Sequence, residues 1–363
     1  MPGRLLLDVS PAAGGHGARG IGSYIRGMVD AIGEWPAERR ERVWAVGLPG
    51  KTLSEFGERG LVAPALARRP FDVGVVLGGL AIRAAARRAG AGVVHATDPH
   101  RPWLPGGARQ IVTAYDLIPL AEPAMLASWR PHDRYFYRRY LHQIAAADVV
   151  MAISHATADD LVERLDVSRD RIQIVYPVIR PGRPLARTAP AEPTFLWVGA
   201  LDMHKQPELA VKALAAFRKT ERAGSLRFVG PSSAAERLAL MDVAGKLGVA
   251  EHVRIDGRIP DEDLEAAYAS ATALLATSRV EGFGLPAVEA LLRGVPVIAV
   301  EIAATRETLT GAATLTAADP DALAAAMSKP QPASPAAIKA LGDRFSAEAA
   351  GEALWATYER LLG

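Results

Sequence analysis

Two glutamates, Glu281 and Glu289, stand with seven residues between them, and that interval holds Gly282, Gly284 and Pro286. An apolar run over residues 273–276 ends at Thr277-Ser278, the glycines free the backbone, and Pro286 suits the first turn of a helix. The pattern is strand, loop, helix. Amides of Phe283, Gly284 and Leu285 then point out of the helix start, where the macrodipole favours an anion or a hydroxyl-rich ligand. Glu281 precedes the loop and Glu289 lies about one turn into the helix, off the apolar stripe of Val288, Leu291 and Leu292. Both acids can face the same ligand. A second strand-loop-helix run, residues 195–207, ends its strand at Gly199 and places Lys205 beside a helix start, where an ammonium pairs with phosphates.

The interval from Glu281 to Glu289 resembles the E-x7-E signature of retaining GT-B glycosyltransferases, in particular family 4. The resemblance implies that Glu281 lies against the donor sugar hydroxyls and Glu289 against the ribose of the nucleotide. It also implies that the amides of Gly282, Phe283, Gly284 and Leu285 hold sugar and diphosphate. Two ordinary surface glutamates near a helix start would leave the same trace. Lys205 looks like the family's diphosphate lysine, at the expected distance from Gly199. Many relatives carry arginine where this chain has Ala200 and His204; His204 either restores charge when protonated or is a solvated loop histidine.

Further positions follow from the same resemblance. Gly230, ending a strand, lines the donor site, and the main chain around Arg258 and Ile259 passes the base. Gly22, in a glycine turn just before a helix with apolar Ile25, Met28, Val29 and Ile32, lets the backbone approach the donor diphosphate. Residues 111–120 are similar to a family stretch in which Tyr115 replaces a frequent histidine, a form resembling that of bacterial polysaccharide mannosyltransferases. Asp116, past a strand end, is expected to touch donor sugar or acceptor hydroxyl, with Tyr115 on the acceptor side; a buried structural aspartate is the competing reading.

Other motifs weigh less. Gly15 to Gly20 spells G-x-G-x-x-G, but the preceding strand ends near Val9 and the next ends in Gly47-Leu48 where a dinucleotide site needs an acid. Asp261-Glu262-Asp263 spells D-x-D and reads as the charged start of a helix, so no metal is expected. Arg130, Arg134 and Arg138 recur at helical spacing among aromatics, which suits either a solvated face or an anionic lipid or acceptor. His155 has no partner legible in the sequence.

The 363 residues fit two medium domains. There is no cysteine, which removes disulfides and thiolate catalysis. Without a long apolar run, and with Met1-Pro2-Gly3-Arg4 leading into a strand pattern, neither a signal peptide nor a membrane span is expected. A cytoplasmic location follows, with peripheral contact at the inner membrane face. The net charge of +2 divides unevenly: residues 1–185 carry 24 Lys+Arg against 18 Asp+Glu, and the remainder 18 against 22. A basic first half is suited to an anionic partner, though an arginine-rich composition alone gives the same balance.

Apolar runs at residues 5–9, 43–48, 92–96, 110–114, 149–153 and 172–175 alternate with amphipathic stretches, the pattern of a parallel sheet covered on both faces. A second series occupies residues 195–198, 226–229, 253–255, 273–276 and 295–300, after a Pro- and Arg-rich linker at 179–193. The fold class is α/β. The resemblance implies GT-B: Rossmann-like domains at 1–185 (acceptor) and 186–344 (donor) facing across a cleft, which closes about a hinge near Arg180 to Arg187. It also returns the final helix, residues 345–363, to the first domain.

The expected activity is retaining transfer of a hexose from a nucleotide diphosphate sugar to a glycan or lipid-linked acceptor. The donor is read first as GDP-mannose and second as a UDP-hexose. No cofactor and no nucleic acid are expected. A GT-B nucleotide-sugar epimerase and a catalytically silent sugar-nucleotide-binding subunit are the rival readings.

Overall fold

The computed structural model describes residues 3–13, 20–63, 71–98, 107–180, 187, 190–221 and 223–363. Two compact units emerge, Met1–Val178 with Phe345–Gly363, and Ile179–Arg344. The first unit ends at Val178, and the boundary that the resemblance implies is residue 185. Arg187 belongs to the second: its guanidinium donates to the carbonyls of Gly294 (2.8 Å) and Ala271 (2.6 Å). The proposed hinge otherwise falls on residues 181–186, outside the described residues, as does most of the Gly15 to Gly20 motif.

In the first unit seven strands form one sheet: β1 (Arg4–Asp8), β2 (Val43–Gly47), β3 (Gly60–Val62), β4 (Ala91–Ala96), β5 (Arg109–Ala114), β6 (Val149–Ala152) and β7 (Ile172–Ile174). Their order is β3-β2-β1-β4-β5-β6-β7 and every pairing is parallel. Central strands such as β1, with Leu5, Leu6 and Leu7 fully buried, are apolar on both faces because helices cover both. The order in which strands are added reverses between β1 and β4, whose carboxyl ends leave Asp8 and Thr97 at the crevice.

The final helix, Ala347–Leu362, packs in this unit, starting from a Ser346 cap that accepts from the Ala349 amide. Trp355 and Tyr358 are buried core, as their helical spacing predicts. Tyr358 also reaches a histidine: its hydroxyl lies 2.8 Å from His95 Nδ1, while His95 Nε2 lies 2.8 Å from the Thr113 hydroxyl. His95 is wholly buried, and burial pushes its pKa down to about 3.

The second unit holds β8 (Thr194–Val198), β9 (Ser225–Val229), β10 (Val253–Gly257), β11 (Ala273–Ala276), β12 (Val297–Val300) and β13 (Thr314–Thr316) in the order β10-β9-β8-β11-β12-β13, again all parallel. Phe195, Trp197, Phe217 and Phe228 anchor its core. The order in which strands are added reverses between β8 and β11. Two strands, β3 and β13, were not anticipated. Each has three residues and lies at a sheet edge, too short for periodicity to register.

Candidate functional site

At the β8/β11 crevice, the loop leaving β8 carries Lys205 and the loop leaving β11 carries Glu281. Ligands of doubly wound sheets bind where neighbouring strands send their connections in opposite directions. The two side chains form an ion pair through Lys205 Nζ and Glu281 Oε1, with side-chain exposures of 20% and 16%. The Ser278 hydroxyl donates to the same carboxylate oxygen at 2.8 Å. Burial pushes the Glu281 carboxyl up, but the Lys205 ammonium and the Ser278 hydroxyl outweigh it, holding the group below its ordinary range. Glu281 is therefore a carboxylate at neutral pH.

The backbone that presents Lys205 is tied across the crevice. Thr277, fully buried at the end of β11, directs its hydroxyl to the carbonyls of Lys205 (2.8 Å) and Gln206 (3.0 Å) and accepts from Trp197 Nε1 (3.0 Å). The Arg279 amide donates to the His204 carbonyl at 2.9 Å. His204 is buried, 7% exposed, which overturns its reading as a solvated loop histidine: the tie to Arg279 draws its segment under the β11 loop. Gly199 lies against the Lys205 methylenes, where an added Cβ would meet Cδ at 3.3 Å. At Gly230 a Cβ would meet the Gly199 carbonyl oxygen at 2.0 Å, so only glycine lets the ends of β8 and β9 approach this closely.

The glycine loop enters the helix Leu285–Leu292 through Gly284, whose φ of 89° is left-handed; Pro286 falls in the first turn. Phe283 is a buried plug, and its carbonyl accepts from the Thr308 hydroxyl at 3.2 Å, which fixes the loop below the helix start. Glu289 projects beside a different group, with Tyr268 Oη 3.5 Å from Oε2. Burial raises its carboxyl, against the pull of Arg293. Arg258 is exposed and Ile259 half-buried on the turn after β10, with β9 between them and the crevice. Asp261, Glu262 and Asp263 occupy the first turn of the helix Asp261–Ser270.

The remaining expected residues belong to the first unit. Gly22 is not in a loop before a helix: the helix Gly20–Gly33 has already begun, and Gly22 is buried in its first turn. Tyr115 is buried, donates to the Thr97 carbonyl at 2.7 Å, and meets Tyr24 edge to face at 5.4 Å. Burial raises its phenol well above the ordinary value. Asp116 accepts the Ile118 amide at 3.2 Å, the local turn expected of a structural aspartate, and remains partly exposed. His155 begins the helix His155–Leu165 behind a Ser154 cap, its ring edge-on to Tyr176 at 6.3 Å. Arg130 caps and Arg134 and Arg138 lie on the helix Pro131–Ala146, with Arg130 and Arg138 exposed.

Sequence reasoning missed Ser278, Thr277 and Trp197 around Lys205, and Tyr268, Glu265 and Arg293 around Glu289. Thr277 and Ser278 carried a usable signal, since polar residues directly after a parallel strand line the ligand crevice. No described helix is long and apolar enough to cross a membrane.

A family model described as "Glycosyl transferases group 1" matches residues 186–329, and one described as "Glycosyltransferase Family 4" matches residues 33–183. The chain is 35% identical over 174 residues to a D-inositol 3-phosphate glycosyltransferase of Nocardia farcinica, covering 44% of this chain and 39% of that one. A protein of the same name from Salinispora tropica is 29% identical over 223 residues, covering 54% and 45%. The chain thus spans less than half the length of these relatives. Among solved structures, sucrose-phosphate synthase from Thermosynechococcus elongatus superposes with a TM-score of 0.73 at 20% identity, covering 99% of each chain. Anabaena HepE in complex with UDP and glucose gives 0.67 at 18% identity, covering 99% of this chain and 100% of that one. With two Rossmann-like units and both family models matched in sequence, the chain belongs to the group 1 glycosyltransferases of the GT-B fold.

Proposed function

We propose that the protein is a retaining hexosyltransferase whose second unit binds a nucleotide diphosphate sugar and whose first unit binds the acceptor. The observation that carries this is the pairing of Lys205 with Glu281 at the β8/β11 crevice. An ammonium and a carboxylate brought together beside glycine-opened strand ends match the two ends of such a donor. The diphosphate takes Lys205 and the loop amides at residues 282–285, the sugar hydroxyls take Glu281, and Glu289 takes the ribose hydroxyls. The donor therefore replaces the ion pair, each partner exchanging the other for a ligand group of the right sign.

In the reaction, the bond between the anomeric carbon and the diphosphate oxygen breaks. The acceptor oxygen bonds to that carbon from the same face, and its proton passes to the departing phosphate oxygen. Lys205 and the amides stabilise the charge on the leaving group, and Glu281 fixes the sugar. The resemblance around Tyr115 favours GDP-mannose as donor, whereas the UDP and glucose bound by HepE favour a UDP-hexose. Exposed Arg130, Arg138 and Arg139, with Tyr135 among them, support an anionic acceptor or peripheral membrane contact.

The test is transfer from GDP-mannose and from UDP-glucose to inositol 3-phosphate, the substrate in the relatives' names, and to lipid-linked glycan acceptors, with the product identified by mass spectrometry. A hexosylated product with its anomeric configuration retained is expected. Hydrolysis or epimerisation of the donor without transfer overturns the reading.

A further inference from the structure

The two acids of the site are held differently. Glu281 meets a lysine, whereas Glu289 sits in a frame built from two helices. Arg293, at the C-cap of the helix Leu285–Leu292, donates through Nη1 to the Glu289 backbone carbonyl at 2.9 Å. Its Nε lies 3.0 Å from each oxygen of Glu265 and its Nη2 2.6 Å from one of them. Its guanidinium carbon lies 5.0 Å from the centroid of the Tyr268 ring. Tyr268, fully buried, directs its hydroxyl toward Glu289 Oε2 and the Pro286 carbonyl, each at 3.5 Å.

This frame is more specific than packing between the two helices requires. Apolar residues would fill the same space, and placing a guanidinium and a carboxylate with side-chain exposures of 12% and 36% costs desolvation. The geometry holds the guanidinium over the ring and keeps the phenol hydroxyl within reach of Glu289. We propose that Arg293, Glu265 and Tyr268 are positioning residues that orient the Glu289 carboxylate toward the ribose hydroxyls of the nucleotide. The proposal rests on the reading of Glu289 as the ribose ligand.

The titratable groups around Glu289 are Arg293 at the end of its own helix, and Tyr268, Glu265 and Asp261 on the helix Asp261–Ser270. Burial raises the Glu289 carboxyl; Arg293 and the Tyr268 hydroxyl lower it, and Glu265 and Asp261 raise it. Loss of Arg293 therefore lets Glu289 take up its proton at higher pH.

The experiment compares binding of UDP and GDP with binding of their 2′-deoxy counterparts by calorimetry. The native protein is expected to favour the tighter-binding ribonucleotide over its deoxy form by about tenfold, the size of a hydrogen bond to a charged group. Glu289→Ala removes that preference. Tyr268→Phe, which keeps the ring under Arg293, and Glu265→Gln, which keeps the shape, each reduce it about threefold while leaving deoxynucleotide affinity unchanged. In Arg293→Met the preference disappears on acidification at a higher pH than in the native protein. If Glu289→Ala abolishes the preference but Tyr268→Phe and Glu265→Gln retain it in full, the frame does not position the acid and this proposal falls alone. Deoxynucleotide affinity falling in step with the ribonucleotide marks a purely structural frame and also overturns it. If Glu289→Ala keeps the preference, or neither nucleotide binds, the ribose reading itself fails.

Discussion

The two units share the strand order of their first six strands and line its crevice with different groups. Between β1 and β4 of the first unit, several polar groups bond to one another. Ser10 donates to Asp8 Oδ1 through its amide (2.9 Å) and hydroxyl (2.5 Å), Thr97 donates to the Asp8 carbonyl (2.6 Å), and Tyr115 to the Thr97 carbonyl (2.7 Å). Between β8 and β11 of the second unit, a lysine and a glutamate face each other beside strand ends that Gly199 and Gly230 keep bare. The first crevice holds carboxylates, Asp8 and Asp98, beside hydroxyl groups; the second pairs charges of opposite sign that a ligand of two polarities can take over. Strand order locates a crevice, and the side chains on it decide whether it is structure or site.

The sharpest way to break that contrast is to truncate the ion pair. Lys205→Ala and Glu281→Ala are each expected to lower the transfer rate by about 10²- to 10³-fold, the usual loss when a group facing developing charge is removed. Thermal unfolding should change little by comparison. Normal transfer in both variants would remove the second crevice from the chemistry, and the contrast with it.

The first unit answers instead to pH. His95 has an unfolded value of 6.5 and a folded value of about 3, so above pH 6.5 it is neutral in both states and stability is complete. As pH falls below 6.5 the unfolded chain binds a proton that the folded one refuses, at about 1.4 kcal/mol per pH unit, or about 2 kcal/mol by pH 5. Hydrogen exchange at Val94 and Val112, on β4 and β5, should accelerate accordingly, and His95→Gln should flatten the dependence. An acid slope unchanged in that variant would assign the loss to other groups.

Tyr115→Phe discriminates the units at smaller scale. It leaves the buried Thr97 carbonyl without its phenol donor, for an expected loss of about 1 kcal/mol from the first unit. Nucleotide affinity should be native, because the affected group lies in the other unit from Lys205 and Glu281. Reduced nucleotide binding would make Tyr115 more than packing.

What the sequence made legible follows the range of the interactions. Eleven strands announce themselves as apolar runs because burial on both faces demands them, and Gly284 and Pro286 mark the helix start locally. Gly22 reads as a turn residue, yet the chain from Gly20 onward gains more from burying Tyr24, Ile25 and Met28 in a helix than it loses by including glycine. The direct meeting of Lys205 with Glu281, 76 residues apart, has no local signature; it follows from β8 and β11 becoming neighbours. The same is true of Arg293 and Glu265, which read as ordinary helix charges until two helices meet.

Ser278→Ala sharpens the comparison most finely. The serine hydroxyl is one of three groups that hold Glu281 below the ordinary carboxylate range, with Lys205 and His204. Without it the pKa rises, so Glu281 is protonated at a less acidic pH, and the acid limb of the transfer-rate profile should move upward. At neutral pH the carboxylate remains ionised in both proteins, and the KM for donor should rise only a few-fold, about the worth of one hydrogen bond. A shifted acid limb with nearly unchanged kcat at pH 7 identifies Glu281 as the titrating group. An unshifted limb would leave the ion pair without a part in the pH dependence.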